Sequence, residues 1–139
     1  MRVQRDIPTF VTEAGVDKTN LRQYIKKLMK QKNIKCRCIR CREIGNKEIK
    51  KIIIKKIKYR ASKGIEYFIS AESENNIVGF LRLRFPFEEL RREIIKNSAL
   101  VRELHVFGPA VSLGKKGNVQ HKGIGKRLLG EAEKISNKN

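Results

Sequence analysis

Residues 77–85 read Ile-Val-Gly-Phe-Leu-Arg-Leu-Arg-Phe, and this stretch carries the clearest structural pattern of the chain. Leu81 and Leu83 alternate with Arg82 and Arg84, a period of two that is typical of a β-strand with one face against a core. A strand is also predicted over 66–71, and the polar run 72–76 between them has the composition of a turn. We therefore predict a β-hairpin over 66–85.

Further elements are predicted on both sides of this hairpin. The β-branched run 50–60 and the stretch 99–107 predict two more strands, and 87–97 predicts a short helix. A final helix is expected over 123–135, and an amphipathic helix over 21–29, capped by Asp17 or Thr19, carries apolar residues at helical spacing: Leu21, Tyr24, Ile25, Leu28 and Met29. The predicted class is α/β or α+β, with one helix-covered sheet ending in an unpaired edge.

The net charge of the chain indicates which class of partner it binds. Its 139 residues suffice for one compact domain, and 33 Lys and Arg face 14 Asp and Glu, a net charge of +19. Residues 1–60 alone hold 19 basic and 5 acidic residues, or +14. Such an excess favours a polyanion, above all nucleic acid. No apolar run is long enough for a membrane span or a signal core, so we expect a cytoplasmic location without membrane contact.

A basic ridge is predicted on the helix over 21–29 and continues into the cysteine segment. This ridge and the basic residues that flank the cysteines supply the candidate nucleic-acid contacts, namely Lys26, Lys27, Lys30, Arg37 and Arg40. The alternative for the helix is an ordinary solvated surface, since charged faces are common.

The segment Cys36-x-Cys38-x-x-Cys41 places three thiols within six residues, flanked by Lys and Arg. Nearby positive charges favour the thiolate form that binds metal. A structural zinc site has four ligands, and because His121 falls in the glycine loop described next, His105 is the better candidate for the fourth. Three reduced thiols without metal are the alternative. An iron-sulfur cluster is disfavoured, because the radical S-adenosylmethionine motif is spaced C-x-x-x-C-x-x-C.

Residues 120–126, Gln-His-Lys-Gly-Ile-Gly-Lys, lie between a predicted strand and the last helix. Backbone amides at a helix N-terminus bind anions, and here no acidic or hydroxyl residue caps the helix while Lys126 lies in its first turn. An external phosphate would explain both features. A glycine turn that merely starts a helix is the alternative, and the loop is not a Walker A motif.

The order of strand, Gln-x-x-Gly-x-Gly loop and helix resembles motif A of the GCN5-related N-acetyltransferase family. That family binds the coenzyme A pyrophosphate at this loop and the pantetheine arm along the preceding strand. The resemblance implies a cofactor site formed by the end of the strand and the loop: Val106, Phe107, Gly108, Gln120, Lys122, Gly123, Ile124, Gly125 and Lys126.

The chain as a whole resembles the family of the catalytic, third subunit of Elongator, the tRNA uridine(34) acetyltransferases. The matching stretches run in family order and include 2–8, 36–45, 78–84, 100–108 and 120–125. The resemblance implies acetyl-CoA, a zinc ion at Cys36, Cys38, Cys41 and His105, and modification of the tRNA wobble uridine. It divides the chain into a zinc-binding linker segment, 1–45, and an acetyltransferase-like domain, 46–139.

Departures from the family pattern limit what the resemblance implies. The radical-domain cluster motif and the segment beyond the motif A helix are missing, so we expect an incomplete acetyltransferase-like domain that is inactive alone, and no catalytic residue is assigned. An iron-sulfur cluster and S-adenosylmethionine would belong to the radical domain. The expected protein partners are that radical domain or a second copy of this chain. Two alternatives remain: a zinc-stapled RNA-binding module without catalysis, and a protein lysine acetyltransferase.

Overall fold

A computed structural model of the chain describes residues 20–89, 91–95, 97–108 and 123–138. Contacts between Cα atoms divide the chain into two units, Met1–Cys38 and Ile39–Asn139. The predicted boundary at residues 45 and 46 stays a prediction. Helix α1 belongs to the first unit, and the sheet and helix α2 belong to the second.

Helix α1 spans Leu21–Gln31 and confirms the predicted amphipathic helix. Asn20 is the N-cap in a left-handed conformation, at φ 60°, without a side-chain hydrogen bond to the first turn; the predicted caps, Asp17 and Thr19, lie outside the described residues. None of the α1 side chains is buried, and the apolar stripe is exposed. At its end the Lys32 amide donates to the Leu28 carbonyl.

Four antiparallel strands form one sheet in the order β1-β2-β3-β4. They span Ile52–Ala61, Gly64–Ser73, Asn76–Phe85 and Leu100–Val106. The predicted hairpin is β2 and β3, and the run 50–60 forms β1 as expected. Because every pairing is antiparallel, the fold is α+β. Among the described residues, β1 and β4 are the edges of the sheet.

Helix α2, Ile124–Ser136, covers one face of this sheet. Its apolar stripe is buried against the inward residues of β2 and β3, in a core that contains Ile69, Ala71, Leu81, Leu83, Ile124, Leu128, Ala132 and Ile135. Burying each large aliphatic side chain contributes about 1.5–3 kcal/mol, so this seam holds α2 to the sheet. Neither described helix is long and apolar enough to cross a membrane.

Gly79 permits the close approach of α2 and β4 to β3. A Cβ atom at this position would lie 2.9 Å from the His105 carbonyl oxygen and 3.3 Å from Leu128 Cδ1. The first distance is shorter than van der Waals contact allows, so a side chain here would push β4 away. Gly79 therefore sets the spacing between the sheet and the helix that begins at the glycine loop.

Two local predictions were wrong. The polar run 72–76 is not all turn, because β2 continues through Ser73 and only Glu74 and Asn75 form the turn. The predicted helix over 87–97 is absent from the described residues there, which form bends, turns and a bridge between Arg91 and Ile94. Phe87 and Ile95 are exposed, so an amphipathic helix would gain no packing from them.

Candidate functional site

The three cysteines form a compact cluster of thiols. The sulfur atoms of Cys36, Cys38 and Cys41 all lie within 4.8 Å of one another. Cys38 and Cys41 are exposed. Thiolates bound tetrahedrally to zinc at about 2.3 Å are about 3.8 Å apart, so a small closure would bring these sulfurs onto one ion. The soft sulfur donors suit zinc, and a fourth ligand would complete a structural site.

Local backbone structure explains why the thiols converge. Residues Ile39–Cys41 form a turn of 3₁₀-helix, and the Arg42 amide donates to the Ile39 carbonyl oxygen at 3.1 Å. This turn brings Cys41 back toward Cys38, as the C-x-x-C spacing of many zinc sites does. The convergence is thus a property of six consecutive residues.

Within the second unit, Arg42 connects the residues that follow Cys41 to the β2–β3 turn. Its guanidinium forms an ion pair with the Glu72 carboxylate, and its Nε donates to the Asn75 carbonyl oxygen at 3.0 Å. The Ile44 amide donates to the Ile77 carbonyl oxygen at 3.0 Å, and the Ile44 side chain is buried in the core. The chain that follows Cys41 is therefore firmly attached to the sheet.

His105, the predicted fourth ligand, lies on β4 among aromatic rings. Its imidazole centroid is 4.6 Å from the Phe107 ring and 6.1 Å from the Phe80 ring. The cluster of converging ligand atoms in the described part of the chain consists of the three cysteines without His105. Its role as the fourth ligand stays a prediction.

The N-terminus of α2 has the features expected of an anion cradle. Gly123 is its N-cap at φ 72°, no side chain caps the first turn, and no acidic residue lies there. The amides of Ile124, Gly125 and Lys126 precede the first intrahelical donor, so they have no carbonyl partner within the helix. A Cβ atom at Gly125 would be 3.9 Å from Val106 Cγ2, which places the end of β4 beside this turn.

Several predicted cofactor residues can be placed and others cannot. Val106 and Phe107 are partly buried at the end of β4, and the Phe107 amide donates to the Val78 carbonyl oxygen at 2.8 Å. Gly108 follows with φ 144°. Gln120 and Lys122 lie outside the described residues. The structure therefore describes the end of β4 and the start of α2, which are the two sides of the predicted cofactor site.

The candidate tRNA contacts are all on the surface: Lys26, Lys27, Lys30, Arg37 and Arg40 are exposed. The three lysines of α1 lie within about 100° of its circumference at 100° per residue. They can therefore meet one phosphate backbone together.

A buried carboxylate that the sequence analysis missed lies on the sheet face opposite α2. Glu66 is only 1% exposed, and its Oε2 accepts from the Tyr59 hydroxyl at 2.8 Å and from Arg82 Nη2 at 3.1 Å. Its Oε1 accepts from Arg84 Nη1 at 2.9 Å and from Arg102. Burial alone would raise the pKa of Glu66, but these four donors outweigh it and lower the pKa to about 2.

The pairing register of the strands explains why these side chains cluster around Glu66. Glu66 pairs with Tyr59 on β1 and with Arg84 on β3, so the three side chains lie side by side on one face. The alternation in 77–85 put both arginines of β3 on one face, but finding their partner required the β2–β3 register. Arg102 joins them at a shift in the β3–β4 pairing, which no periodicity predicts.

A second buried carboxylate, Glu72, lies further along the same face. It is 4% exposed, and its Oε2 forms ion pairs with Arg42 and with Lys55 Nζ, the latter at 2.8 Å. Ser70 Oγ donates to its other oxygen at 2.9 Å. Burial raises the pKa of Glu72, while Lys55, Ser70 and Arg42 lower it, and the net direction is downward. Glu72 thereby holds the Arg42 anchor in place.

Taken together, the described residues define an α+β protein with a three-thiol cluster and an uncapped, glycine-started helix beside the last strand. No family model matches the chain. A tRNA uridine(34) acetyltransferase of Methanocaldococcus jannaschii is 45% identical over 97% of this chain and 27% of its own length. The Homo sapiens Elongator complex protein 3 is 38% identical, again over 97% of this chain and 27% of its own length.

The tertiary structure agrees with these sequence relatives. An archaeal Elp3 from Methanocaldococcus infernus, solved with an N-terminal deletion, superposes with a TM-score of 0.80 at 40% identity. The match covers 99% of this chain and 35% of that chain. The chain is homologous to one segment of the tRNA uridine(34) acetyltransferases, the family that includes Elongator complex protein 3. It spans about a quarter to a third of the length of these relatives.

Proposed function

We propose that this chain contributes acetyl-CoA and tRNA binding to wobble-uridine (U34) acetyl transfer, as part of carboxymethyluridine formation. The observation that carries the proposal is the 45% identity to a tRNA uridine(34) acetyltransferase along 97% of the chain. Because the chain spans only 27% of that relative, we propose binding functions for it and assign no catalytic residue. The coenzyme supplies the acetyl group when bound.

The proposed coenzyme site is the start of α2 together with the end of β4. The amides of Ile124, Gly125 and Lys126 would hold a pyrophosphate oxygen, helped by the positive end of the helix dipole. Gln120 and Lys122 complete the predicted loop. The backbone of Val106, Phe107 and Gly108 would hold the pantetheine arm.

Calorimetric titration with acetyl-CoA tests this site. A Gly125→Glu variant places a carboxylate at the cradle, and we expect at least a tenfold loss of affinity from repulsion and blockage. Gly130→Glu is the matched control, because Gly130 lies on the same helix with open space around it. Equal affinity of both variants and the wild type would show that the glycine turn only starts a helix.

We further propose that Cys36, Cys38 and Cys41 hold a structural zinc ion, with His105 as the predicted fourth ligand. Three cysteine sulfur atoms within 4.8 Å of one another support this assignment. Elemental analysis of the purified chain should give one zinc per molecule, and a Cys36→Ser variant should lose it. Iron in place of zinc would contradict the assignment.

The proposed tRNA contacts are the row of basic side chains on α1 and Arg37 in the first unit, and Arg40 in the second unit. Each lysine lost from a phosphate contact should lower the salt dependence of binding, by about 0.7–0.9 in the slope of log K against log salt. A triple glutamine variant at Lys26, Lys27 and Lys30 should therefore lower the slope by about 2–3. The charge-matched control replaces lysines already paired with carboxylates: Lys50, Lys63 and Lys134.

A second function, a zinc-stapled RNA-binding module without a coenzyme, is favoured by the thiol cluster and the exposed basic residues. It predicts bound zinc and tRNA binding, but no heat on addition of acetyl-CoA. The coenzyme titration therefore distinguishes the two functions. Acetylation of a histone-like peptide in the absence of RNA would instead favour a protein lysine acetyltransferase.

A further inference from the structure

The sheet face opposite α2 carries arginines and aromatic rings side by side. Side chains alternate across a sheet, so Phe68, Phe80 and Arg82 lie on this face while Leu81 and Leu83 pack under α2. His105 pairs with Phe80 and therefore shares the face. We call this surface, defined by Phe68, Phe80, Arg82, Arg102 and His105, the arginine face.

The arginine face has more positive charge than its carboxylates neutralise. Three guanidinium groups, those of Arg82, Arg84 and Arg102, form ion pairs with the single carboxylate of Glu66. A second acid, Glu103, has its Oε2 4.0 Å from Arg82 Nη1. This excess would attract another anion to the cluster.

Two of the three arginines retain donors for such an anion. Arg84 is largely occupied, because it also donates to the Ala61 and Ser62 carbonyl oxygens at 3.0 Å. Arg102 and Arg82 are 46% and 33% exposed. Arg102 donates to Glu66, and Arg82 donates to Glu66 and also interacts with the Tyr59 hydroxyl and the Glu103 carboxylate. Their remaining N–H groups are suited to the paired oxygens of a phosphodiester.

The aromatic rings lie next to the arginines on the same face of the sheet, two residues away along the strand. Phe80 is two residues before Arg82, about 7 Å along β3, and it stacks on Phe68 with centroids 5.4 Å apart. Phe80 itself is buried, whereas His105 beside it is exposed. The accessible ring of this row is therefore the imidazole of His105, supported from the sheet by Phe80 and Phe107.

We propose that the arginine face binds single-stranded RNA, with a phosphodiester on Arg82 and Arg102 and the adjoining base stacked on His105. Cationic groups that follow the backbone next to rings that stack bases are the combination by which proteins hold single strands. A ligand with charge alone, such as an acidic peptide, would gain from the arginines but not from the ring. This inference rests on the proposed function in taking tRNA as the source of the strand.

The predicted metal role of His105 does not compete for the same part of the ring. Zinc binds an imidazole nitrogen in the plane of the ring, whereas a base would stack on the face of the ring. A phenylalanine at this position keeps a stacking surface and loses the metal-binding nitrogen. The two roles are therefore separable by one pair of variants.

The test measures fluorescence anisotropy of a labelled octauridine RNA with the full 139-residue chain. His105→Ala should weaken binding roughly 5- to 150-fold, the range found for removing one stacking ring, and His105→Phe should bind within about threefold of wild type. Arg102→Gln should lower the slope of log K against log salt by about 0.7. Arg60→Gln, an exposed arginine on the other face of β1, is the charge-matched control and should change affinity less than twofold.

Three results would overturn the inference. These are unchanged affinity in both His105→Ala and Arg102→Gln, equal losses in Arg102→Gln and Arg60→Gln, or displacement of the RNA by polyglutamate at the same charge concentration. Zinc content and thermal unfolding of each variant are measured in parallel. If His105→Phe binds as weakly as His105→Ala and both have lost zinc, the role of His105 is in the metal site and the stacking assignment is wrong.

The outcome is also distinguishable from failure of the proposed function. If tRNA binding depends on the α1 lysines while octauridine is unaffected by changes at Arg102 and His105, only the arginine face is refuted. If octauridine binds as predicted but acetyl-CoA gives no heat, the coenzyme proposal fails and the RNA face stands.

Discussion

Replacing Glu66 with glutamine removes a buried negative charge and leaves three guanidinium groups facing a neutral amide. The wild-type carboxylate accepts hydrogen bonds from Tyr59, Arg82, Arg84 and Arg102 and is 1% exposed. Glutamine has nearly the same shape, so the change acts mainly through charge. We expect a large loss in the free energy of unfolding.

Two independent routes give the magnitude. The pKa of Glu66 falls from 4.5 to about 2 on folding, and at about 1.4 kcal/mol per pKa unit the charged form stabilises the fold by roughly 3 kcal/mol. Breaking a buried ion pair by removing one partner costs about 3–5 kcal/mol. We therefore expect Glu66→Gln to cost about 3 kcal/mol at neutral pH.

The pH dependence gives a sharper signature than the magnitude. Because the pKa of Glu66 is lower in the folded state, its stabilisation is complete above 4.5 and is lost as the pH falls to about 2. Below that pH the wild-type side chain is neutral, like glutamine. The difference in unfolding free energy between the two proteins should thus shrink from about 3 kcal/mol at pH 7 toward zero near pH 2.

Urea unfolding followed by circular dichroism, at several pH values between 2 and 7, measures this difference. Glu103→Gln is the control, since Glu103 is 38% exposed and 4.0 Å from Arg82; exposed pairs contribute about 0–1 kcal/mol. A cost below about 1 kcal/mol for Glu66→Gln, or a difference that does not change with pH, would refute the reasoning.

Three further predictions concern the helix seam and the thiols. Gly79→Ala should cost about 1–3 kcal/mol, because its Cβ would lie 2.9 Å from the His105 carbonyl oxygen, whereas Gly130→Ala, in open space on α2, should gain about 0.5–1 kcal/mol; thermal unfolding compares them. Leu128→Ala should cost about 2–5 kcal/mol and Leu129→Ala under 1 kcal/mol, because only the first is fully buried; equal costs in urea unfolding would contradict the assignment of the seam. A chelator should convert the three proposed zinc-bound thiols from slow to rapid reaction with a thiol-specific chromogen, and equal rates without chelator would show that no metal protects them.

The wrong predictions have a common physical cause. The run 72–76 is polar, but Glu72 and Ser73 stay in β2 because Glu72 is neutralised by Arg42 and Lys55. In the stretch 87–97 the helical spacing is present, but Phe87 and Ile95 remain exposed, and helices depend on packing for most of their stability. For 72–73, ion pairs with residues distant in sequence outweighed the polar turn pattern. For 87–97, the lack of packing among the described residues outweighed the helical pattern.

Short-range sequence patterns alone determined several structural elements of this protein. Alternation in 77–85 specified a strand with a core face, helical spacing specified α1 and α2, and the six residues from Cys36 to Cys41 specified a thiol cluster, because each depends on neighbours within a few positions. The arginine face and the buried Glu66 were decided only by tertiary structure. They arise where four strands pair in register, with a shift beside Arg102, and a single sequence does not state which residues a strand will meet.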